Sequence, residues 1–318
     1  MKIGIDIMGG DYAPTETVKG AISAHKILDN DVSLTLFGDK EQIVKICSEN
    51  NYSPENFEIV HTSQVIEMHE HPARAFQSKQ DSSIYKGFEY LVNDRIDAFS
   101  SVGNTGAMSV GAIMVIKPVE GIIRPCISTV VPKIDGKNAI LLDVGLNADA
   151  KPEMLLQYAI LGSIYVEEMY HIKNPKVGLL NIGSEEGKGN ILTQSAYHLM
   201  KKSNSINFIG NIEGSDIFRP DIADIIVTDG FTGNIVLKLT ESFYKLLGKR
   251  NINDDYFNKL NFELYGGMPI LGIKHPVMVG HGVSKEKAVK NMILHSVEIT
   301  NAKMPEKITT RLMSDNTN

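Results

Sequence analysis

Residues 98–111, AFSSVGNTGAMSVG, carry a strand into a glycine turn and out into a helix. Ala98 and Phe99 end an apolar run that reads as a buried strand. Ser100, Ser101 and Gly103 follow, and Asn104 and Thr105 stand ahead of a helix-compatible run, Ala107–Lys117. Such a turn presents backbone N–H groups at a helix head, where the dipole favours an anion, and its glycines let a ligand approach the main chain. Asn104 and Thr105 serve equally well as an ordinary cap. The choice rests on the remainder of the chain.

Outward from that turn the pattern repeats. Lys2–Met8 reads as a strand cut off by Gly9-Gly10-Asp11, with a helix from Thr15. Ser33–Phe37 and Phe57–His61 are further strands, with a helix over Lys40–Asn50 between them. Residues 62–81 carry Pro72 and mixed charge and predict a surface loop, after which Ser82 or Ser83 caps a helix. Downstream, Cys126–Val131 and Ala139–Val144 are strands joined by a turn, and Pro152 opens a helix to about Tyr170. Lys176–Asn181, Asn207–Ile209, Asp224–Thr228 and Val277–Val279 are strands, with helices at Ile191–Lys202, from near Ile235, and up to about Asn301. Arg250–Lys259 reads as a polar loop or hairpin tip. This alternation predicts an α/β fold with a mostly parallel sheet flanked by helices. A single domain over residues 1–318 is expected.

Composition narrows the function. The 318 residues are 42% hydrophobic and 22% charged, the balance of a globular protein. Thirty-two basic against 38 acidic residues give a net charge of −6, which argues against a nucleic-acid partner. Cys47 and Cys126 read as buried reduced thiols and Asp6 comes too early for a secretory signal, so a cytoplasmic protein is expected. No apolar run reaches transmembrane length.

Five polar turns follow strands, at 9–11, 103–106, 183–190, 229–234 and 280–284. In a parallel sheet such turns share the carboxyl edge, where ligands bind. That predicts a ligand site lined by Asn104, Thr105, Lys188, Asn190, Asp229, Asn234 and His281, with Asn147 on the similar turn after Gly145. The 183–190 loop is no Walker A motif: three residues separate Gly183 from Gly187, and Gly189 rather than a hydroxyl residue follows Lys188. The G-x-G-x-x-G fingerprint is absent too, so no nucleotide cofactor is expected. Lys188 suits either a small phosphate or a solvated surface position. Arg74 and Lys79 are a bidentate and a point-charge candidate for phosphate, or simply loop charges. His69 and His71 lack the second cluster a zinc site needs, so no metal is expected. His281, between two glycines, is either a proton donor or acceptor near neutral pH or a turn histidine bonded to backbone.

IDIMGGDYAP, PARAFQSK, SVGNTGA, LLDVGLNADAKPE, GLLNIGSEEGKGN, VTDGFTGNIVLK, YGGMPILG and GHGVS occur in that order, spanning Ile5 to about Ser284. Together they resemble the bacterial acyl-carrier-protein:phosphate acyltransferases of phospholipid synthesis. The resemblance implies a three-layer α/β/α fold similar to isopropylmalate dehydrogenase and phosphate acetyltransferase. It implies transfer of a fatty acyl group from acyl carrier protein to inorganic phosphate, the acyl phosphate then serving glycerol-3-phosphate acyltransferase. It also implies a cytoplasmic homodimer with peripheral membrane contact, here with a shortened tip or dimerisation segment at about 239–262. Within that reaction, Arg74, Lys188 and the Gly103, Asn104, Thr105, Gly106 turn are expected to hold phosphate. Lys79, Asn147 and Asp229 are further substrate-binding candidates. Asn190 or Asn234 is expected to donate to the oxyanion, and His281 or Lys188 to assist the departing thiolate. A phosphate acetyltransferase using acetyl-CoA and a non-catalytic carrier-protein or membrane scaffold are the competing readings.

Overall fold

The computed structural model describes residues 1–315. Eleven strands run through them: β1 (Lys2–Asp6), β2 (Ser33–Gly38), β3 (Glu58–His61), β4 (Ala98–Ser101), β5 (Cys126–Pro132), β6 (Asn138–Leu142), β7 (Lys176–Leu180), β8 (Asn207–Ile212), β9 (Ile225–Val227), β10 (Gly267–Leu271) and β11 (Val277–Gly280). The chain divides into two compact units. One is Met1–Pro118 with Phe262–Lys303, the other Val119–Asn261 with Met304–Asn318.

The first unit orders its strands β3-β2-β1-β4-β11-β10, parallel except for β10 against β11. From β1 through β2 to β3 the chain steps one way across the sheet, and β4 returns to the other side of β1. Right-handed crossovers then place Thr15–His25 and Lys40–Glu49 on one face and Ser83–Val92 on the other. The reversal between β1 and β4 is a switch point, the place where open α/β sheets leave a ligand crevice. Ile3, Ile5, Leu34, Leu36 and Phe99 are fully buried in this core. Gly87 brings its helix so near the sheet that a Cβ would lie 2.0 Å from the Phe99 ring.

The second unit runs β5-β6-β9-β7-β8, parallel except for the β5–β6 pair. Pro152–Tyr170 covers it through buried Leu155, Tyr158, Ala159 and Leu161.

The mostly parallel α/β architecture and the strands named above are present, and four local expectations need correcting. The 62–81 stretch contains a helix, Pro72–Ser78, with proline in its first turn; buried Ala75 and Phe76 hold it, Phe76 packing on the Tyr85 and Phe88 rings. The helix expected from near Ile235 begins at Gly230. The run after Asn104 is helical from Thr105 and passes into a wider π turn at Ala112–Ile116. A short helix, Asp255–Asn258, stands within the polar loop at 250–259. The strand β10 and the helix Met304–Asp315 carried no signal that was read from sequence. Ser82 caps the Ser83–Val92 helix, accepting from the Tyr85 amide at 3.3 Å.

Candidate functional site

In the first unit, the turns after β1, β4 and β11 meet because those three strands are adjacent and parallel. Asp6, at the end of β1, is buried and organises them. One carboxylate oxygen accepts from the Met8 and Gly9 amides at 3.0 and 3.1 Å, the other from Ser101 Oγ at 2.6 Å. Ser101 Oγ in turn accepts from the Gly103 amide at 2.9 Å, so one carboxylate ties the β1 turn to the β4 turn. Burial pushes the Asp6 carboxyl up, against these hydrogen bonds, which pull it down. No side chain fits between the turns: a Cβ on Gly9 would lie 2.7 Å from Gly103 Cα. The Asp11 amide donates to the Gly282 carbonyl at 2.8 Å and brings in the third turn.

Asn104 is the cap of its helix. Its Oδ1 accepts from the Ala107 amide at 3.0 Å, and its Nδ2 donates to the Glu67 and Glu70 carbonyls at 3.0 and 3.2 Å. Both ends of the buried amide are engaged, while Thr105 beside it is exposed. Pro72 packs on Gly106, where a Cβ would lie 2.3 Å from its ring, so the helix bearing exposed Arg74 lies against this turn. Among the described residues no hydrogen bond or ion pair involves the Arg74 guanidinium. Lys79 is engaged: its Nζ donates to Glu70 and to the Val65 carbonyl, both at 2.6 Å. That hydrogen bond holds the Glu70 carboxyl below its usual range. His281 is half-buried, its Nδ1 accepts from the Val283 amide at 3.3 Å, and its ring lies 5.1 Å from that of Phe262.

The second unit repeats the device. Asp143, just after β6, is fully buried. Its Oδ1 accepts from the Ile127 and Leu146 amides at 2.9 and 3.2 Å, its Oδ2 from the Asn147 amide and Nδ2 at 2.7 and 3.1 Å. Burial pushes this carboxyl up as well, against those four bonds. Asn147 Nδ2 also donates to the Pro125 carbonyl at 2.8 Å, and the Asn147 carbonyl accepts from the Gly230 amide at 2.9 Å. Asp229 caps the Gly230–Lys249 helix, accepting from the Thr232 amide and hydroxyl at 2.8 and 2.9 Å. On the next turn Asn234 faces Gly145, where a Cβ would lie 3.5 Å from its Oδ1. Among the described residues its amide has no hydrogen-bond partner.

The 183–190 loop follows β7, the neighbour of β9. Its shape is set internally: Asn181 Nδ2 donates to the Lys188 carbonyl at 3.1 Å, and Gln194 Nε2 to the carbonyls of Gly187 and Gly189 at 2.9 and 3.1 Å. Asn190 caps the following helix through the Thr193 amide at 2.9 Å. Lys188 is exposed, with a loose ion pair to Glu185 at 3.8 Å.

The structure therefore groups Arg74 with Gly103, Asn104, Thr105 and Gly106 in one unit, and Asn147 with Asp229 and Asn234 in the other. Two residues that organise these groups, Asp6 and Asp143, were not singled out from sequence. Their signal was an acid closing an otherwise apolar strand. Among the described residues no three side chains of metal-ligating type cluster together.

A family model described as fatty acid synthesis protein matches residues 1–253. A phosphate acyltransferase of Dictyoglomus turgidum is 42% identical over 327 aligned residues, covering 97% of this chain and 96% of its own. One of Oceanobacillus iheyensis is 40% identical over 99% of this chain and 98% of its own. The chain belongs to the phosphate acyltransferase family. It is accordingly a transferase, and the family description places it in fatty acid synthesis. Solved structures extend the likeness in fold. A phosphotransacetylase from Streptococcus pyogenes superposes with a TM-score of 0.65 at 15% identity, covering 96% of this chain and 94% of that one. A branched-chain phosphotransacylase from Enterococcus faecalis gives 0.61 at 13% identity over 94% and 99%. This acyltransferase family thus shares the three-layer α/β/α fold of those proteins.

Proposed function

We propose that the chain transfers a fatty acyl group from acyl carrier protein to inorganic phosphate. The observation that carries this reading is family membership across nearly the whole length. In the reaction a phosphate oxygen attacks the thioester carbonyl, a C–O bond forms, the C–S bond breaks, and the phosphate hydroxyl proton passes to the departing sulfur. Phosphate is itself the nucleophile, so the protein has to hold it, orient the thioester and stabilise the oxyanion. Arg74 and the turn it lies against offer one anion-holding surface, and Lys188 another. Asn234 and Asn190 both suit the oxyanion: the Asn234 amide is unengaged among the described residues, and the Asn190 cap uses only its oxygen, which leaves its NH2 to donate. His281, whose Nδ1 accepts from the Val283 amide, is assigned to the departing thiolate.

The acyl phosphate is the substrate class for a glycerol-3-phosphate acyltransferase downstream. A basic surface at Lys249-Arg250 or at Lys285 and Lys287, all exposed, is assigned to the acidic carrier, and a carrier KM insensitive to salt would refute it. Phe231, Ile235, Leu239, Phe243 and Leu246 form one exposed apolar face of the Gly230–Lys249 helix, which supports a homodimer using this segment. Leu239→Glu should then yield a monomer in light scattering. Peripheral membrane contact is assigned to the 250–261 segment with its exposed Ile252, and loss of liposome flotation in Ile252→Glu is its check.

Phosphorus NMR decides the central claim. Enzyme, inorganic phosphate and palmitoyl-acyl carrier protein should give an acyl phosphate signal, and acetyl-CoA in its place should not. Acetyl phosphate alone would reassign the chain as a phosphate acetyltransferase. Silence with both donors would leave a scaffold.

A further inference from the structure

Arg124 is held by its neighbours while its own side chain is not used. Pro125 restricts residue 124 to extended conformations and fixes its own φ. On one side, the Ile123 amide donates to Gln157 Oε1 at 2.8 Å, and Gln157 Nε2 donates to the Gly121 carbonyl at 2.7 Å. On the other side, Asn147 Nδ2 donates to the Pro125 carbonyl at 2.8 Å, and the Ile127 amide donates to Asp143. The backbone is thus pinned before and after Arg124. The guanidinium is exposed, and among the described residues no hydrogen bond or ion pair involves it. Its five N–H donors are left for a partner outside the chain.

The groups that pin it belong to the site. Asn147 binds Asp143 with one end and receives the Gly230 amide, the first of the Gly230–Lys249 helix, with its carbonyl. Nearby, the Tyr158 hydroxyl is buried and, among the described residues, lacks a hydrogen-bond partner. Burial pushes this phenol up, the Asp143 and Asp229 carboxylates push it further, and the Arg124 charge pulls it back. Arg124 therefore brings positive charge to a neighbourhood dominated by carboxylates, one an anionic substrate would otherwise avoid.

We infer that Arg124 is a substrate-binding residue that grips a phosphate oxyanion through its guanidinium. This rests on the proposed acyl transfer to phosphate. Two sources share the chemistry: inorganic phosphate, and the phosphodiester of the carrier's prosthetic arm. A planar guanidinium grips two phosphate oxygens at once, which an ammonium does not.

Steady-state kinetics of Arg124→Gln and Arg124→Lys provide the test. Arg124→Gln should raise one KM about tenfold or more with kcat little changed, as expected when a charged hydrogen bond to substrate is lost, and Arg124→Lys should recover part of it. A rise in the phosphate KM assigns the grip to inorganic phosphate, and a rise in the carrier KM to the prosthetic arm. Unchanged values for both overturn the inference. Melting with and without inorganic phosphate supplies a readout independent of turnover. For the inorganic phosphate assignment, phosphate should raise the Tm of the wild type and not that of Arg124→Gln, provided both melt within about 2 °C of each other without it. Should Arg124→Gln melt lower than that, the same comparison is made with Arg124→Lys. A wild type that forms no acyl phosphate refutes the acyltransferase reading, while the phosphate-dependent shift still reports on Arg124.

Discussion

Replacing Asp143 tests whether the second unit is held together by one buried carboxylate. Asp143→Ala removes the acceptor of four hydrogen bonds from Ile127, Leu146 and Asn147. The Ile127 amide is buried and keeps no substitute, which costs about 1–3 kcal/mol. Leu146 and Asn147 are half-buried, so water partly compensates their donors and each lost bond costs about 0.5–1 kcal/mol. Removing a buried carboxyl that burial disfavours returns part of this. The net is about 3 kcal/mol, or a fall in Tm of about 4–5 °C for a protein of this size. Asp143→Asn is the sharper variant because its shape is unchanged. Its amide oxygen serves two of the donors, and its NH2 then faces the other two, so about 2 kcal/mol should still be lost. Asn147→Ala shares one of the bonds, that from Nδ2, because alanine keeps the backbone amide; in a double-mutant cycle with Asp143→Ala the effects should therefore fall short of additivity by about 0.5–1 kcal/mol. Urea unfolding monitored by circular dichroism measures the wild type and all four variants. If Asp143→Asn matches the wild type in midpoint and slope, the carboxylate does not hold these loops and the reasoning fails.

Three further outcomes follow from the same geometry. Burial lowers the His295 pKa from 6.5 to about 4, opposed by a hydrogen bond with the Gly267 backbone. Its folded value lies below its unfolded one, so its contribution is complete above about pH 6.5 and declines as pH falls toward 4, by about 3 kcal/mol; in His295→Gln that slope in urea midpoints should flatten. Gly233→Ala would set a Cβ 1.9 Å from the Asp143 carbonyl oxygen, so the helix head must shift, costing about 2–3 kcal/mol in urea unfolding. Lys188→Ala should raise the phosphate KM and leave the Tm unchanged, because the side chain is exposed and its ion pair loose; an unchanged KM removes it from the site.

Much of this fold was legible because parallel strands buried on both faces read as plain apolar runs. SLTLF and DIIVT announced β2 and β9 this way, and a following glycine or aspartate marked each carboxyl end. Pro72–Ser78 was not legible, since seven residues without a side-chain cap form a helix only when Ala75 and Phe76 find their partners. The first turn of the Gly230–Lys249 helix was hidden for a related reason. Gly230 and Gly233 resemble helix breakers, and only the structure shows that they admit the Asn147 and Asp143 carbonyls where a Cβ would collide.

The polar residues of the turns divide on one physical question, whether the fold already uses their donors and acceptors. Asn104, Asn190 and Asp229 each accept from the amide three residues on, at Ala107, Thr193 and Thr232, so their first role is to cap helices. Sequence cannot separate a cap from a ligand-binding amide, because Asx residues at a helix start satisfy both descriptions equally. Asp6 and Asp143 were passed over for the opposite reason: a single acid closing an apolar strand carries no motif, yet each binds several donors and fixes the turns around it. Capping and turn-fixing together consume most of the polar atoms at these strand ends. Arg74, Arg124 and Asn234 retain theirs. A site for an anion and a thioester carbonyl needs donors that folding has not already engaged, and that is the ground on which Arg74, Arg124 and Asn234 are proposed, each within its own unit, for substrate contacts.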